Sequence, residues 1–235
     1  MNKKTSKKQE FHNFSQIAKE WWDPEGEFKI LHQILPIRME YIVKNIGRNN
    51  IENLEILDLG CGGGLTCEAL ARLNAKVTGI DFVKENIEIA KNHAIKSKLK
   101  INYINEDIDL INFKKKYDAI LLLEVIEHLD DWQKLIKKIK KNLKPGGLLI
   151  LSTINRTKLS KIFAIFVAEN ILKWVPKNTH DYNKLVKPIE LKKSLIENNF
   201  KIKNINGINF NLFIREWELS DKKFYINYFC TAKLN

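Results

Sequence analysis

The stretch Leu54–Leu65, which reads LEILDLGCGGGL, decides the fold. Its first half is mostly apolar over six residues, a length and composition typical of a strand buried in a parallel sheet. A run of glycines then ends the strand, and apolar residues at helical spacing begin at Leu65. A strand, a glycine turn and a helix in this order predict the opening of a βαβ unit.

The same alternation of strands and helices continues as far as residue 153. Further strands are predicted at Lys76–Asp81, Ile101–Asn105, Tyr117–Leu123 and Leu148–Thr153, with helices at 83–97 and 132–143. Two more strands are expected near 200–208 and 223–233. The sequence therefore predicts an α/β fold with a Rossmann-like, doubly wound and mostly parallel sheet of seven strands.

The rest of the chain is interpreted as additions to this core within a single domain, 1–235. Pro36 is expected near a helix start, and Pro188 is expected to open a helix. The predicted segments are a basic tail (1–9), an N-terminal helical cap (10–50), the cofactor-binding core (54–153), a helical insertion after strand five that forms a lid or touches a membrane (156–187), and a C-terminal helix with strands (188–235).

Composition narrows the classes of partner and compartment. The net charge of +12 comes mostly from lysine, and scarce arginine argues against a protein that reads nucleic acid. No apolar run reaches the roughly 18 residues of a membrane-spanning helix, and no secretory signal is evident. The 3 cysteines lack metal-site spacing. We expect a cytoplasmic protein without a nucleic-acid partner; peripheral contact with the inner membrane stays open.

The glycine loop indicates a nucleoside ligand without a pyrophosphate. The fingerprint GxGxxG fails, because Leu65 and Cys67 stand where its last glycine would be, counted from Gly60 or Gly62. Asp81 closes the second strand, where a carboxylate accepts hydrogen bonds from ribose hydroxyls. Together these features predict nucleoside binding at the carboxyl ends of the first two strands.

The run from Asp58 to Gly64 resembles motif I of class I S-adenosylmethionine-dependent methyltransferases, and Leu143–Gly147 resembles a second signature of that class. The match extends to one family. The ubiquinone-biosynthesis O-methyltransferases are similar in the segments Trp22–Phe28, Leu31–His32 with Pro36–Arg38, Tyr117–Leu129, Val175–Lys177 and Thr179–Asp181.

This resemblance implies S-adenosylmethionine as the cofactor and a polyprenylated phenol or quinol as the substrate, methylated on oxygen at two steps of the pathway. It also implies possible complexes with other proteins of ubiquinone biosynthesis. The cofactor contacts that it implies are Arg38, Gly60, Asp81 and Leu123. Gly62 is added from the loop, and Asp58 is interpreted as an acceptor that orients the loop and the cofactor ammonium.

A phenol with a pKa near ~10 must lose its proton before it attacks a methyl group. His128 or Glu127, after strand four, are the candidate bases, with His180 as a further candidate. Alternatively Glu124, Glu127 and His128 hold Mg²⁺ against a catecholate. A structural interpretation, with Glu127 capping a short helix and His128 packed against the loop, stays open.

The segment from Lys158 to Trp174 combines apolar residues with flanking lysines, which is typical of a helix on an anionic bilayer and also of a lid over the sheet. Two other functions remain open at this stage. One is a methyltransferase for another small molecule or for RNA, and the other is a non-catalytic subunit that binds the cofactor.

Overall fold

The computed structural model describes residues 17–108, 115–161, 182–211 and 215–235. The helices are α1 Lys29–Ile46, α2 Leu65–Ala71, α3 Lys84–Lys96, α4 Trp132–Ile139 and α5 Pro188–Glu197. The strands are β1 Glu55–Leu59, β2 Lys76–Asp81, β3 Asn102–Asn105, β4 Tyr117–Leu123, β5 Leu143–Ile154, β6 Phe200–Asn211, β7 Glu216–Ser220 and β8 Asn227–Leu234. Short 3₁₀ turns include Ala18–Glu20 and Ile126–His128.

The strands form one mixed sheet in the order β3-β2-β1-β4-β5-β8-β6-β7. β1 to β5 are parallel, whereas β8, β6 and β7 join antiparallel. The expected Rossmann-like α/β fold is confirmed, but the predicted strand count of seven is wrong because the described residues form 8 strands. The additional strand, β7, pairs back on β6 at the edge. Its residues, Glu-Trp-Glu-Leu-Ser, alternate polar and apolar side chains, but a run of five residues is too short to stand out in the sequence.

Alternate side chains of the parallel strands supply two separate cores. In β1, Leu57 packs with α4 and α5 on one face of the sheet, whereas Ile56 packs with α1, α2 and α3 on the other. Both side chains have no exposed surface. Helices on both faces explain why β4 is apolar almost throughout, since neither face meets water.

The order of the strands reverses between β1 and β4, which are neighbours in the sheet. The chain runs outward from β1 to β2 and β3, and then returns to β4 on the other side of β1. In sheets of this kind the usual ligand site is the crevice at such a reversal, beside the loops that leave the carboxyl ends of the two strands. The glycine loop after β1 and the acidic segment after β4 therefore face each other.

Two boundaries differ from the sequence prediction. Pro36 lies inside α1, not near its start, at a position where the missing N–H costs one helical hydrogen bond. β5 begins at Leu143 and includes the Pro145–Gly147 run that was expected to precede the strand, with an irregular register opposite β4. α5 does begin at Pro188, as predicted.

Within the part of the chain that the structure describes, no helix combines the length and apolar character needed to cross a membrane.

Candidate functional site

The glycine loop is fixed to the second strand by its own backbone. The amides of Gly60 and Cys61 both donate to the carbonyl of Ile80, at 2.7 and 3.0 Å. Gly60 has φ +76°, and a Cβ there would lie 2.6 Å from Cγ2 of Val125, which follows β4. Gly60 therefore lets the loops after β1 and β4 approach each other, in a backbone conformation that favours glycine.

Gly62 and Gly63 lie beneath an aromatic ring. A Cβ on either residue would stand 2.3 to 2.4 Å from atoms of the Trp21 indole. Trp21 is itself buried and stacks on Phe28 with ring centroids 3.8 Å apart. These two glycines are therefore needed for contact with the N-terminal cap, a reason that the sequence prediction of close ligand approach did not include.

Asp81 links the glycine loop to the start of α3. Its Oδ2 accepts from the amide of Gly62 at 3.0 Å, and its Oδ1 accepts from the amide of Val83 at 2.8 Å and from Asn86 Nδ2 at 3.4 Å. The side chain is buried at the carboxyl end of β2. These bonds hold the predicted ribose-binding carboxylate in one orientation before any ligand arrives.

Arg38 extends the site from the middle of α1. The residue is buried, and its Nε has no hydrogen-bond partner among the described residues. Burial lowers the pKa of Arg38, while the charges of Glu124 and Asp58 act in the opposite direction. A buried guanidinium with an unused N–H and two acidic neighbours is suited to a further anionic partner such as a carboxylate.

Asp58 lies at the centre of the site on β1. Burial raises its pKa to about 6, while a hydrogen bond from Cys67 Sγ at 3.3 Å and the charge of Arg38 lower it. Asp81 adds a further repulsive charge that raises the pKa. A nearby cation, such as the ammonium that the sequence prediction assigned to it, would favour the ionised form of Asp58.

Glu124 turns the chain sharply after β4. It has φ +55°, unusual for a non-glycine residue, and its amide donates to the carbonyl of Ser152 at 3.0 Å. Asn227 Nδ2 donates to Oε2 at 3.4 Å, whereas Oε1 is buried without a partner in the described part of the chain. Such strain is typical of functional sites.

Glu127 points inward from the 3₁₀ turn after β4 and is buried. Thr153 Oγ1 donates to Oε2 at 2.8 Å, and Oε1 has no partner among the described residues. Burial, with the nearby charge of Glu124, raises the pKa of Glu127 to about 8, although His128 and Thr153 lower it. A carboxyl group with a pKa near neutrality is suited to acid–base work.

Comparison with known proteins now identifies the family. A family model described as a methyltransferase domain matches residues 34–204. A ubiquinone biosynthesis O-methyltransferase from Rickettsia typhi is 48% identical over 224 residues, which cover 94% of this chain and 91% of the relative. The protein of the same name from Pelagibacter ubique is 46% identical over 222 residues, covering 91% and 92%. The chain belongs to the ubiquinone biosynthesis O-methyltransferases.

Solved structures agree with this family at the level of the fold. A magnesium protoporphyrin IX methyltransferase from Synechocystis superposes with a TM-score of 0.72 at 19% identity, covering 98% of this chain and 100% of the other. A methyltransferase from Aquifex aeolicus gives 0.64 at 15% identity, covering 94% and 98%. The family model and the named relatives confirm the expectation of an S-adenosylmethionine-dependent methyltransferase.

The other predicted site residues of this O-methyltransferase lie in different places. Leu123 is buried at the carboxyl end of β4, opposite Ser152 of β5, and so borders the crevice. His128 is half-buried at the end of its 3₁₀ turn, where its charge acts on Glu127. His180 and most of the predicted 156–187 insertion lie outside the described residues, as does the basic tail.

The predicted Mg²⁺ ligands do not form a site. Across the described residues, no three His, Cys, Asp or Glu side chains gather as metal ligands. Glu127 is directed towards Thr153, and Glu124 is bonded to Asn227. The two carboxylates are therefore bonded to different partners, and the predicted set of Glu124, Glu127 and His128 does not fit a metal held by three side chains.

Sequence reasoning missed several residues that shape this O-methyltransferase site. Trp21 covers the loop, Asn86 bonds Asp81, and Thr153 bonds Glu127. Trp21 carried a signal in the sequence, as the first of two consecutive tryptophans ahead of the core. Thr153 and Asn86 are ordinary residues at the ends of elements, and only the folded register shows their contacts.

Proposed function

We propose that this chain transfers the methyl group of S-adenosylmethionine to a phenolic hydroxyl of polyprenylated catechol or demethylubiquinol intermediates in ubiquinone biosynthesis. Similarity to the named relatives over more than nine-tenths of the chain supports the pathway. The observation that carries the chemistry is the buried carboxyl of Glu127, with an unpartnered oxygen in the described structure, in the turn that follows β4 at the carboxyl edge of the sheet.

In this proposal the cofactor lies along the carboxyl ends of β1 and β2. Asp81 accepts hydrogen bonds from the ribose hydroxyls, beside its bond from the Gly62 amide. Arg38 pairs with the carboxylate of the methionine part, while Asp58 receives its ammonium group. Gly60 and Leu123 line the space for the sulfonium at the point where the two loops meet.

The acceptor then occupies the side of the crevice formed by β4 and β5. Glu127 takes the proton of the phenolic hydroxyl, and the resulting oxyanion attacks the methyl carbon. The carbon–sulfur bond breaks with its electron pair on sulfur, leaving neutral S-adenosylhomocysteine. Alignment of oxygen, carbon and sulfur supplies most of the rate in such a displacement. His128 adjoins the base and lowers its pKa; it is the second candidate for the proton acceptor, followed by His180.

Mg²⁺ has no step in this proposal, because the predicted ligands do not converge within the described structure. Dependence on the metal nevertheless decides between two forms of the proposal. Activity that is unchanged after chelation favours a protein base alone, whereas activity restored by added Mg²⁺ favours an ion held jointly by protein and catecholate oxygens.

A peripheral membrane contact is a further part of the proposal. Leu159 and Tyr225 are 47% and 51% exposed at the crevice end of the sheet, close to Lys158 and Lys161. The apolar residues that follow along the chain add to this character in the sequence. A greasy substrate would enter most easily from a bilayer, and flanking lysines favour anionic lipid.

The deciding experiment measures transfer of labelled methyl from S-adenosylmethionine to a prenylated catechol, with and without Mg²⁺. Wild type is compared with Glu127→Gln and His128→Ala, which change the first and second candidate bases, and with Glu52→Gln, an exposed control. Lipid-soluble labelled product supports the proposal. Tight cofactor binding without product from any prenylated phenol would remove the proposed acceptor and favour another small molecule, RNA or a non-catalytic role.

A further inference from the structure

The second residue of the N-terminal tryptophan pair contacts the glycine loop by a hydrogen bond. Trp22 Nε1 donates to the carbonyl of Gly63 at 3.0 Å, across 41 residues of sequence. The indole also stacks on the ring of His93 in α3, with centroids 3.4 Å apart and an angle of 5° between the planes. Trp22 thus joins the N-terminal cap, the glycine loop and α3.

His93 is itself held by a buried acid. Its Nδ1 lies 2.7 Å from Oε1 of Glu68, whose side chain is only 2% exposed. The other oxygen of Glu68 accepts from Arg72 at 3.3 Å. Arg72 holds the Glu68 carboxylate in place, and the carboxylate in turn fixes the orientation of the His93 ring on which Trp22 stacks.

Trp21 reaches the other half of the same site. Its Nε1 donates to Asn86 Oδ1 at 2.8 Å, and Asn86 Nδ2 donates to Asp81 at 3.4 Å. Nε2 of His32 lies 2.9 Å from the carbonyl oxygen of Trp21 and so contacts the peptide bond that joins the two tryptophans. One tryptophan is therefore coupled to the proposed ribose acid, and its neighbour to the loop carbonyl.

We propose that Trp22 is a positioning residue for the cofactor. Its indole selects one orientation of the Gly63 peptide, and His93 and Glu68 support that indole. A loop with consecutive glycines has many conformations, and ordering it costs more entropy than ordering other residues. A hydrogen bond that fixes the loop in advance transfers that cost from binding to folding. This inference rests on the proposed placement of the cofactor on the glycine loop.

The test uses Trp22→Phe, which keeps an aromatic ring for the stack on His93 and removes the N–H donor. S-adenosylhomocysteine binding is measured by calorimetry, and the KM values for S-adenosylmethionine and for the acceptor are measured separately. Loss of one hydrogen bond predicts affinity for the cofactor weaker by about 3- to 10-fold, with the acceptor KM unchanged. The matched control is Trp217→Phe, since the Trp217 indole nitrogen is buried without a partner among the described residues and lies on edge strand β7.

A second variant tests the support. His93→Gln removes the stack but keeps a donor for Glu68, and we expect a smaller loss of cofactor affinity, about 2- to 3-fold. The double variant should lose less than the two single losses combined, because both act through the same indole. Additive losses would mean that His93 acts independently of Trp22 and would overturn that part of the inference.

The outcomes also separate this inference from the proposed site. Asp81→Asn serves as the reference, since it alters the proposed ribose contact directly. Weak binding in Asp81→Asn together with wild-type binding in Trp22→Phe would overturn the inference and keep the site. Wild-type binding in both variants would place the cofactor elsewhere and overturn the proposed site as well.

Discussion

The two sides of the crevice hold their carboxylates in opposite ways. On the cofactor side, Asp81 accepts three hydrogen bonds from Gly62, Val83 and Asn86. On the acceptor side, Glu124 and Glu127 each keep a buried oxygen that has no partner in the described structure. One side holds its carboxylate in a fixed orientation, as suits the proposed cofactor, and the other keeps unsatisfied polar atoms that the hydroxyl group of the proposed acceptor would satisfy.

This difference matches what each side is proposed to do. A binding carboxylate gains affinity when its orientation is fixed beforehand, because less entropy is lost on association. A base needs a pKa near the working pH, and burial with a like charge nearby raises that of Glu127 to about 8. Four predictions, made on three variants, test whether the two sides are as separate as this description requires.

The largest effect is expected on the acceptor side. Glu127→Gln keeps the size of the side chain and an acceptor for Thr153, but removes the base. We expect kcat to fall by about 10²- to 10⁴-fold while affinity for S-adenosylhomocysteine stays within about twofold. Steady-state kinetics and calorimetry measure the two quantities. A variant that keeps wild-type kcat would transfer the role of base to His128 or His180.

On the cofactor side, Asp81→Asn should show the reverse pattern. An amide cannot accept on both sides, so one donor among Gly62 and Val83 loses its partner, and a charged acceptor for the ribose is lost. We expect cofactor affinity weaker by about 10- to 100-fold and an unchanged KM for the acceptor. Asp221→Asn, exposed near the sheet edge, is the control. Equal losses for both substrates would mean that the two sides are coupled.

The sequence predicted these two sides unequally. Strands, glycines and a strand-end acid recur at fixed spacing, so Gly60 and Asp81 could be placed at one sheet edge from their pattern alone. Glu124 and Glu127 were predicted from their place after strand four, and the pattern could not show that one bonds Asn227 and the other Thr153. Those contacts depend on the register of β4, β5 and β8, which is set by packing across the whole sheet.

The tryptophans illustrate the same limit. The glycines beneath Trp21 were expected to admit a ligand, because sequence shows where bulk is missing but not which group fills the space. The missed edge strand β7 has the same origin. Its alternation extends over only five residues, and pairing with β6 makes it a strand.

A smaller effect should separate the base from its support. Thr153→Val removes the hydrogen bond that favours the ionised form of Glu127, so the pKa of Glu127 should rise above its wild-type value of about 8. The acidic limb of the pH–rate profile should move to higher pH by up to about one unit, because one hydrogen bond is worth about 1 kcal/mol. Ser152→Ala, at the neighbouring position on β5, is the control, since Ser152 Oγ is buried without a partner among the described residues. If the acidic limb stays at its wild-type pH while kcat falls, Thr153 supports the structure of the site and not the pKa of Glu127.

The last prediction concerns stability and its dependence on pH, not the rate. The pKa of Glu127 is raised from 4.5 to about 8 in the folded chain, so the native state holds this proton more tightly than the unfolded state. The resulting stability is fully present below pH 4.5 and is lost as pH rises to about 8, where the carboxylate is ionised and buried.

Glu127→Gln has no such proton to lose. Its melting temperature should therefore be close to that of the wild type at low pH and exceed it increasingly up to about pH 8, with a constant difference above. Calorimetric scans of both proteins in parallel measure that difference, and a difference that is constant across the range would mean that Glu127 is already ionised near pH 5. In that case the acceptor side would carry a charged carboxylate as the cofactor side does, and the contrast between the two sides would lie only in their hydrogen bonds.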